Sequence, residues 1–295
     1  MMKMMSLSAA SVLAALLWPG MALATELEPN EFVTAPPGTT ALIGYFVYGD
    51  NQSYKPVGQP NISQNTHLDE TVGIARAAKY FDIGKVEALV EFLQPFGRLG
   101  NAKIGGVGYP SSSGIGDTTF AAAVWPVNDK ASRTYLGLTL YVVVPDGAYT
   151  HGKTINLGGN RFVYDPEIAF HKGFNDRWSV DLSGDLIAYG HNTDAGTLTR
   201  QTLSQQVTVQ AQAFVNYFWA GRVVTSLGYE GETGGRQSLA GIDTAAKTDF
   251  TEIRFVNAYS VTPAFQVLGE VNHQFSNVGG FRQQVGVTLR TLYAF

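Results

Sequence analysis

The last strand-like stretch of this chain limits what the rest can be. Read backwards in twos from Phe295, the side chains are Phe295, Tyr293, Thr291, Leu289, Val287 and Val285. The intervening row is Ala294, Leu292, Arg290, Thr288, Gly286 and Gln284, small or polar with one exception. Successive side chains of a β-strand point to opposite faces. The segment therefore reads as a strand with one apolar face and one wet face, ending on an aromatic.

The same alternation recurs upstream. From Trp178, one row is Trp178, Val180, Leu182, Gly184, Leu186 and Ala188, and the other is Ser179, Asp181, Ser183, Asp185, Ile187, Tyr189 and His191. Either a soluble sandwich or a membrane barrel produces this pattern; strand length and loop rhythm separate them. The periodicity predicts twelve strands, near 39–49, 67–81, 85–95, 116–126, 133–144, 161–171, 177–190, 205–218, 222–231, 249–261, 264–275 and 281–295. Most have about ten or more residues, the length a tilted membrane strand needs, against a mode of about five or six in soluble sheets. Short links such as Gly173-Phe174-Asn175-Asp176, Trp219-Ala220-Gly221 and Thr262-Pro263-Ala264 alternate with long ones at 50–66, 96–115, 145–160, 191–204 and 231–248. An even strand number with short turns on one side and long loops on the other is the membrane-barrel rhythm. Aromatics such as Tyr45, Trp125, Trp178, Trp219 and Tyr293 fall near strand ends, where two interfacial girdles place them.

The N-terminus carries an address. Lys3 is the one charge before Glu26; the apolar run Leu7–Trp18 is followed by Pro19-Gly20 and by Ala22-Leu23-Ala24. This is the layout of a signal peptide cut after Ala24 and exported through the Sec pathway. Residues 25–38, with Pro29, Pro36 and Pro37, read as a short periplasmic lead-in, which could plug the lumen although nothing in the residues requires it, and 39–295 as one barrel domain. Charged residues make up only 15% of the chain, and the net charge of −4 with no basic cluster argues against nucleic acid. With no cysteine there is neither disulfide nor thiolate chemistry.

The fold expected is all-β, a transmembrane antiparallel up-and-down barrel of about twelve strands. Its final strand resembles the C-terminal strand of Gram-negative outer-membrane barrels, where Tyr293 and Phe295 take the place of the assembly signal. Several further segments carry a family resemblance: Pro36-Pro37-Gly38, Ser113-Gly114-Ile115-Gly116-Asp117, Val144-Pro145-Asp146-Gly147-Ala148-Tyr149, Asn156-Leu157-Gly158-Gly159-Asn160 with Pro166, and Leu292-Tyr293-Ala294-Phe295. Together they resemble the outer-membrane family associated with the MetA-pathway of phenol degradation. The resemblance implies a barrel passing small, often aromatic or hydrophobic, molecules. It also implies outer-membrane lipids, periplasmic chaperones and the β-barrel assembly machinery as partners, with no cofactor. Asp146 departs from the Thr-like residue expected after the proline.

No catalytic constellation stands out. The five histidines, His67, His151, His171, His191 and His273, lack metal spacing, and no GxSxG occurs. His171 with Asp165 and Glu167 assembles a site only on paper, so an enzyme is not the reading adopted. The alternation assigns Glu87, Glu91, Asp117, Asp165, Glu167, Asp181, Asp185, Glu252 and Glu270 to the lumen, with Arg222, Arg254, Arg282 and Arg290. Charges on the lipid face at mid-depth cost about 2–4 kcal/mol, which favours that side. Braced ion-pair ladders and a cation-favouring pore are both compatible with such a lumen. Arg76 breaks the scheme, because it shares a row with Val72 and Ile74. A passive small-molecule channel is the expectation; a structural or surface-binding barrel with a closed lumen is the alternative.

Overall fold

The computed structural model describes residues 26–219 and 222–295. The expected leader, residues 1–24, and the Ala220-Gly221 part of one turn lie outside the described residues. Twelve long strands build the wall: β1 (Thr40–Tyr54), β2 (His67–Ile83), β3 (Val86–Ile104), β6 (Thr118–Asp129), β7 (Thr134–Val144) and β8 (Val163–Gly173), then β9 (Trp178–Tyr189), β12 (Thr208–Trp219), β13 (Val223–Gly234), β16 (Phe250–Ser260), β17 (Phe265–Asn277) and β18 (Phe281–Ala294). Six short strands belong to the loops: β4 (Val107–Gly108), β5 (Ser112–Ile115), β10 (Asn192–Ala195), β11 (Gln201–Gln205), β14 (Gln237–Leu239) and β15 (Ile242–Asp243).

Each long strand pairs antiparallel with the next, and β18 pairs back onto β1 from Ala41↔Ala294 to Tyr54↔Phe281. The cylinder is closed, so no strand edge faces lipid. Short turns lie at the end where β1 begins and β18 finishes, the periplasmic end; long loops crowd the other. There β10, β11, β14 and β15 form a small separate sheet joining two outer loops.

The two rows of each strand take opposite environments. In β9, Leu182 and Leu186 are 48% and 53% exposed on the outer face, whereas Asp181 and Asp185 are 1% and 2% exposed on the inner one. In β18, Val285, Leu289, Tyr293 and Phe295 form the exposed row. The inner rows are mixed rather than wholly polar. In β2, Val72, Ile74 and Arg76 all point inward, and this removes the Arg76 conflict: the apolar row of that strand is its lumen row. Several strands run past the ends that the alternation indicates. β1 continues to Tyr54 and β3 to Ile104, because the ladder persists above the lipid, where no apolar outward residue is needed.

Candidate functional site: the filled lumen

Residues 26–38, for which the sequence left both a lead-in and a plug open, contact the inner wall of the barrel. They enter the barrel at its periplasmic end and run up the bore. Thr34 meets Asn128 near that rim, and Glu26 reaches Arg254 further up the bore. The reason lies in five apolar and acidic side chains that the wall is built to receive. Leu27 and Phe32 are buried in one inner cluster with Ile43, Trp125, Tyr135, Phe214 and Leu268. Phe32 stands against Gly137 of β7, where any Cβ would lie 2.3 Å from the ring. Trp125 Nε1 donates to the Phe32 carbonyl at 3.0 Å, and the two rings lie 6.1 Å apart.

Each of the three glutamates in this segment meets an arginine of the wall. Arg254 holds Glu270 bidentately, at 2.8 and 3.1 Å, and lies 3.4 Å from Glu26. It also donates to the Leu27 carbonyl and to Gln212, both at 3.1 Å, with its guanidinium over the Phe214 ring. Across the bore, Arg76 bridges Glu31 at 2.7 Å and Glu91 through Nε at 2.8 Å, and reaches the Tyr45 hydroxyl. Arg290 pairs with Glu28 and donates to Gln266. Burial pushes the Glu26 carboxyl up to about 8, with Arg254 opposing the rise. The Glu28 carboxyl is also raised by burial, against the pull of Arg290.

A third anchor is polar. Asp181 Oδ2 accepts the Asn30 backbone N–H at 3.0 Å and Asn216 Nδ2 at 2.6 Å, while its Oδ1 lies 2.6 Å from His171 Nδ1. Ser179 donates to the Asn30 side chain. Asn30 itself adopts φ 63°, a conformation asparagine tolerates well. The segment thus touches β2, β18, β16, β12, β9, β6 and β7, all round the bore, and acts as a plug. Below it opens a cavity of about 1260 Å³, lined by Val33, Ile43, Tyr80, Tyr135 and Leu292, with Lys130, Arg133, Arg177 and Arg222 at its mouth.

At the outer end, the loop after β7 folds inward. Its Ile155 and Leu157 are buried against Tyr54, Leu68, Leu99, Ile104 and Phe281. Asp117 pins this loop by accepting the Gly147 and Gly159 N–H groups at 2.9 and 2.6 Å, and Asp146 accepts from Thr118 N at 2.8 Å. A Cβ on Gly158 would lie 2.8 Å from the Asp117 carboxylate, so the glycine-rich stretch is what admits it.

Of the charges assigned to the lumen from sequence, Glu87, Glu91, Asp165, Glu167, Asp181, Asp185, Glu252, Arg254, Glu270 and Arg290 are buried on inner rows. Three stand elsewhere. Asp117 is a loop anchor above the wall rather than a wall residue, because it falls before β6 begins. Arg222 is exposed in a periplasmic turn, donating to the Val261 carbonyl. Arg282 sits at the outer end of β18 and donates to the Gln274 carbonyl. His171 engages Asp181 and the edge of Tyr135, not the Asp165–Glu167 pair considered from sequence. Sequence reasoning allowed a plug but did not find the residues that hold it. The signal was present: acids at 26, 28 and 31 beside an apolar Leu27 and Phe32, in a chain whose lumen holds unassigned arginines.

Comparison with known proteins accords with this architecture. No curated protein matches the chain. The crystal structure of the COG4313 outer membrane channel from Pseudomonas putida F1 superimposes with a TM-score of 0.86 at 26% identity, covering 92% of this chain and 100% of that one. Two mutants of the TodX monoaromatic hydrocarbon channel, deltaS2 and deltaS2S3, align with TM-scores of 0.51 and 0.50 at 8% identity. The first covers 94% of each chain; the second covers 96% of this chain and 95% of its own. The structure is that of an outer-membrane β-barrel. The sequence profile of the family described as "Putative MetA-pathway of phenol degradation" matches residues 43–290, and the chain belongs to that family.

Proposed function

We propose that the protein is an outer-membrane channel for passive movement of small molecules, with hydrophobic or aromatic solutes as its substrate class. The observation that carries this is the way the bore is filled. A closed twelve-stranded wall is stoppered by a segment held only through side chains and single backbone contacts, not by the sheet ladder. Such a stopper leaves without breaking the barrel. The apolar outer mouth around Leu68, Leu99 and Phe281 supports the substrate class, as does the family's link to phenol. The similar protein from Pseudomonas putida is itself an outer membrane channel.

The partners follow from the same reading. Residues 1–24 direct Sec export, and Tyr293 and Phe295, exposed at the end of the seam strand, present the signal to the assembly machinery. The wall carboxylates Asp165, Glu167, Asp185, Glu252 and Glu270 disfavour anions. The test is conductance in planar bilayers, together with uptake of small aromatic solutes into liposomes, for the full chain and for a variant lacking residues 26–34. Steps that are small in the full chain and large in the deletion support the channel. Equal silence from both, with the barrel folded, would favour the closed structural barrel instead.

A further inference from the structure

We propose that the cavity below the plug binds hydrophobic solutes bearing a neutral hydroxyl, with His171 Nε2 as the acceptor of the hydroxyl hydrogen. The site rests on the reading of the barrel as a channel for hydrophobic solutes, and it names the polar group by which such a solute is held. His171 stands on the inner row of β8, beside Tyr135 of β7 and Asp181 of β9. Its side chain is 5% exposed and lines the cavity. Nδ1 lies 2.6 Å from Asp181 Oδ1. Asp181 Oδ2 accepts the Asn30 N–H and the Asn216 amide, as an ionised carboxylate does. These bonds assign the imidazole proton to Nδ1. A neutral ring protonated there presents a lone pair at Nε2. That nitrogen has no hydrogen-bond partner among the described residues.

The nitrogen is held open rather than left over. An asparagine would serve Asp181 as well, since its amide N–H reaches the place of Nδ1 and no second nitrogen remains. Buried polar groups nearly always find a partner, and one that faces a cavity marks the place of a missing donor. The ring is also fixed before any solute arrives. Asp181 sets its rotation and tautomer. Tyr135 packs edge-on against it, with ring centroids 5.6 Å apart. An apolar surface lies alongside: Ile43, Tyr80, Tyr135 and Leu292 of the wall and Val33 of the plug line the same space of about 1260 Å³. Apolar walls with a few fixed polar groups are the usual form of a small-molecule site.

Charge decides for a neutral solute. Of the ions along the cavity, Arg76 pairs with Glu31, Arg290 with Glu28 and Arg133 with Asp176. Lys130, Arg177 and Arg222 stand exposed at the mouth, where water and salt screen them. A hydroxyl meets the lone pair of Nε2, whereas an ether of the same shape has no hydrogen to donate and leaves that nitrogen unsatisfied. The cavity opens toward the periplasm, so a solute enters it with the plug seated.

The test uses the full chain, folded in detergent with nitrogen-labelled histidines, and titrates a naphthol, its methyl ether and the corresponding naphthoate. Affinity is measured by calorimetry at fixed detergent concentration, and the imidazole nitrogens are followed by magnetic resonance. The naphthol is expected to bind about 10-fold more tightly than the ether, the worth of one hydrogen bond. It is also expected to shift the Nε2 resonance of a single histidine. His171→Asn keeps a donor for Asp181 and should abolish both the preference and the shifting resonance. His151→Gln, in an outer loop, should keep them. Heat-modifiable gel migration establishes that each variant is folded. Equal affinity for naphthol and ether, or a preference that survives in folded His171→Asn, overturns the site. Tighter binding of the naphthoate overturns its assignment to neutral hydroxyls. Binding in detergent needs no conduction, so these results leave the channel reading standing. Naphthol bound as expected by a barrel that admits no solute to liposomes would instead sink the channel and keep the site.

Discussion

Glu26 shows how a single side chain couples the plug to the medium. Its carboxyl titrates near 4.5 in water and is pushed up to about 8 in the bore by burial, with Glu230, Glu270 and Glu28 reinforcing the rise and Arg254 opposing it. Seating the segment therefore takes up a proton between these values. The favourable contribution is full below about 4.5 and is lost as pH rises through about 8. Bilayer conductance of the full chain is expected to climb between about pH 4.5 and about pH 8, and Glu26→Gln to flatten that climb. Gly137 is the steric counterpart. Its missing Cβ makes room for Phe32, whose displacement from a packed site costs about 3–5 kcal/mol, judged from Phe→Ala substitutions. Gly137→Leu should raise open-channel current while heat-modifiable migration stays that of a folded barrel; unchanged current would remove Phe32 from the stopper's hold.

At the scale of elements, the strands were legible and the plug was only one of two readings, for one physical reason. A membrane strand is selected on its outer face at every second residue, so Leu182, Leu186, Leu289 and Tyr293 report it directly. Inner rows carry no such constraint. Val72 and Ile74 face the lumen beside Arg76, and alternation read there points the wrong way. The plug has no period, since each residue answers to a different wall partner: Leu27 to Gln212, Asn30 to Asp181, Phe32 to Gly137 and Trp125. Asp117 differs from its expected place for a related reason, because a loop anchor immediately before a strand looks like its first inward residue. The absence of cysteine makes the plug testable as a moving element. Ser179 and Asn30 are in side-chain contact at 3.2 Å, so Asn30→Cys with Ser179→Cys should clamp the segment. Oxidation is expected to suppress conductance and reductant to restore it, with neither single variant responding.

Across the whole molecule, charge is distributed transversely. One side of the bore, β8 to β17, presents Asp165, Glu167, Asp185, Glu230, Glu232, Glu252 and Glu270 as buried carboxylates, with Arg254 as the buried arginine among them. The opposite side holds Arg76 and Arg290, which meet the plug's Glu31 and Glu28, beside the buried Glu70, Glu87 and Glu91, the last also paired with Arg76. Withdrawing the plug takes three carboxylates out of the bore and leaves three arginines short of a partner, so the acidic excess shrinks without vanishing. Fixed wall charge in a narrow, low-dielectric passage governs which ions enter. A variant lacking residues 26–34 should therefore be cation-selective, read as the sign of the reversal potential in a potassium chloride gradient. Glu230→Gln combined with Glu232→Gln should move that potential toward zero, because both side chains lie on the acidic side and Gln210 binds either form of them. The selectivity should also weaken as salt shortens the screening length from about 10 Å at 0.1 M to about 3 Å at 1 M. An anion-selective deletion variant would mean that the freed Arg76, Arg254 and Arg290 dominate the passage. The bore would then be a route for acidic solutes once the plug is out.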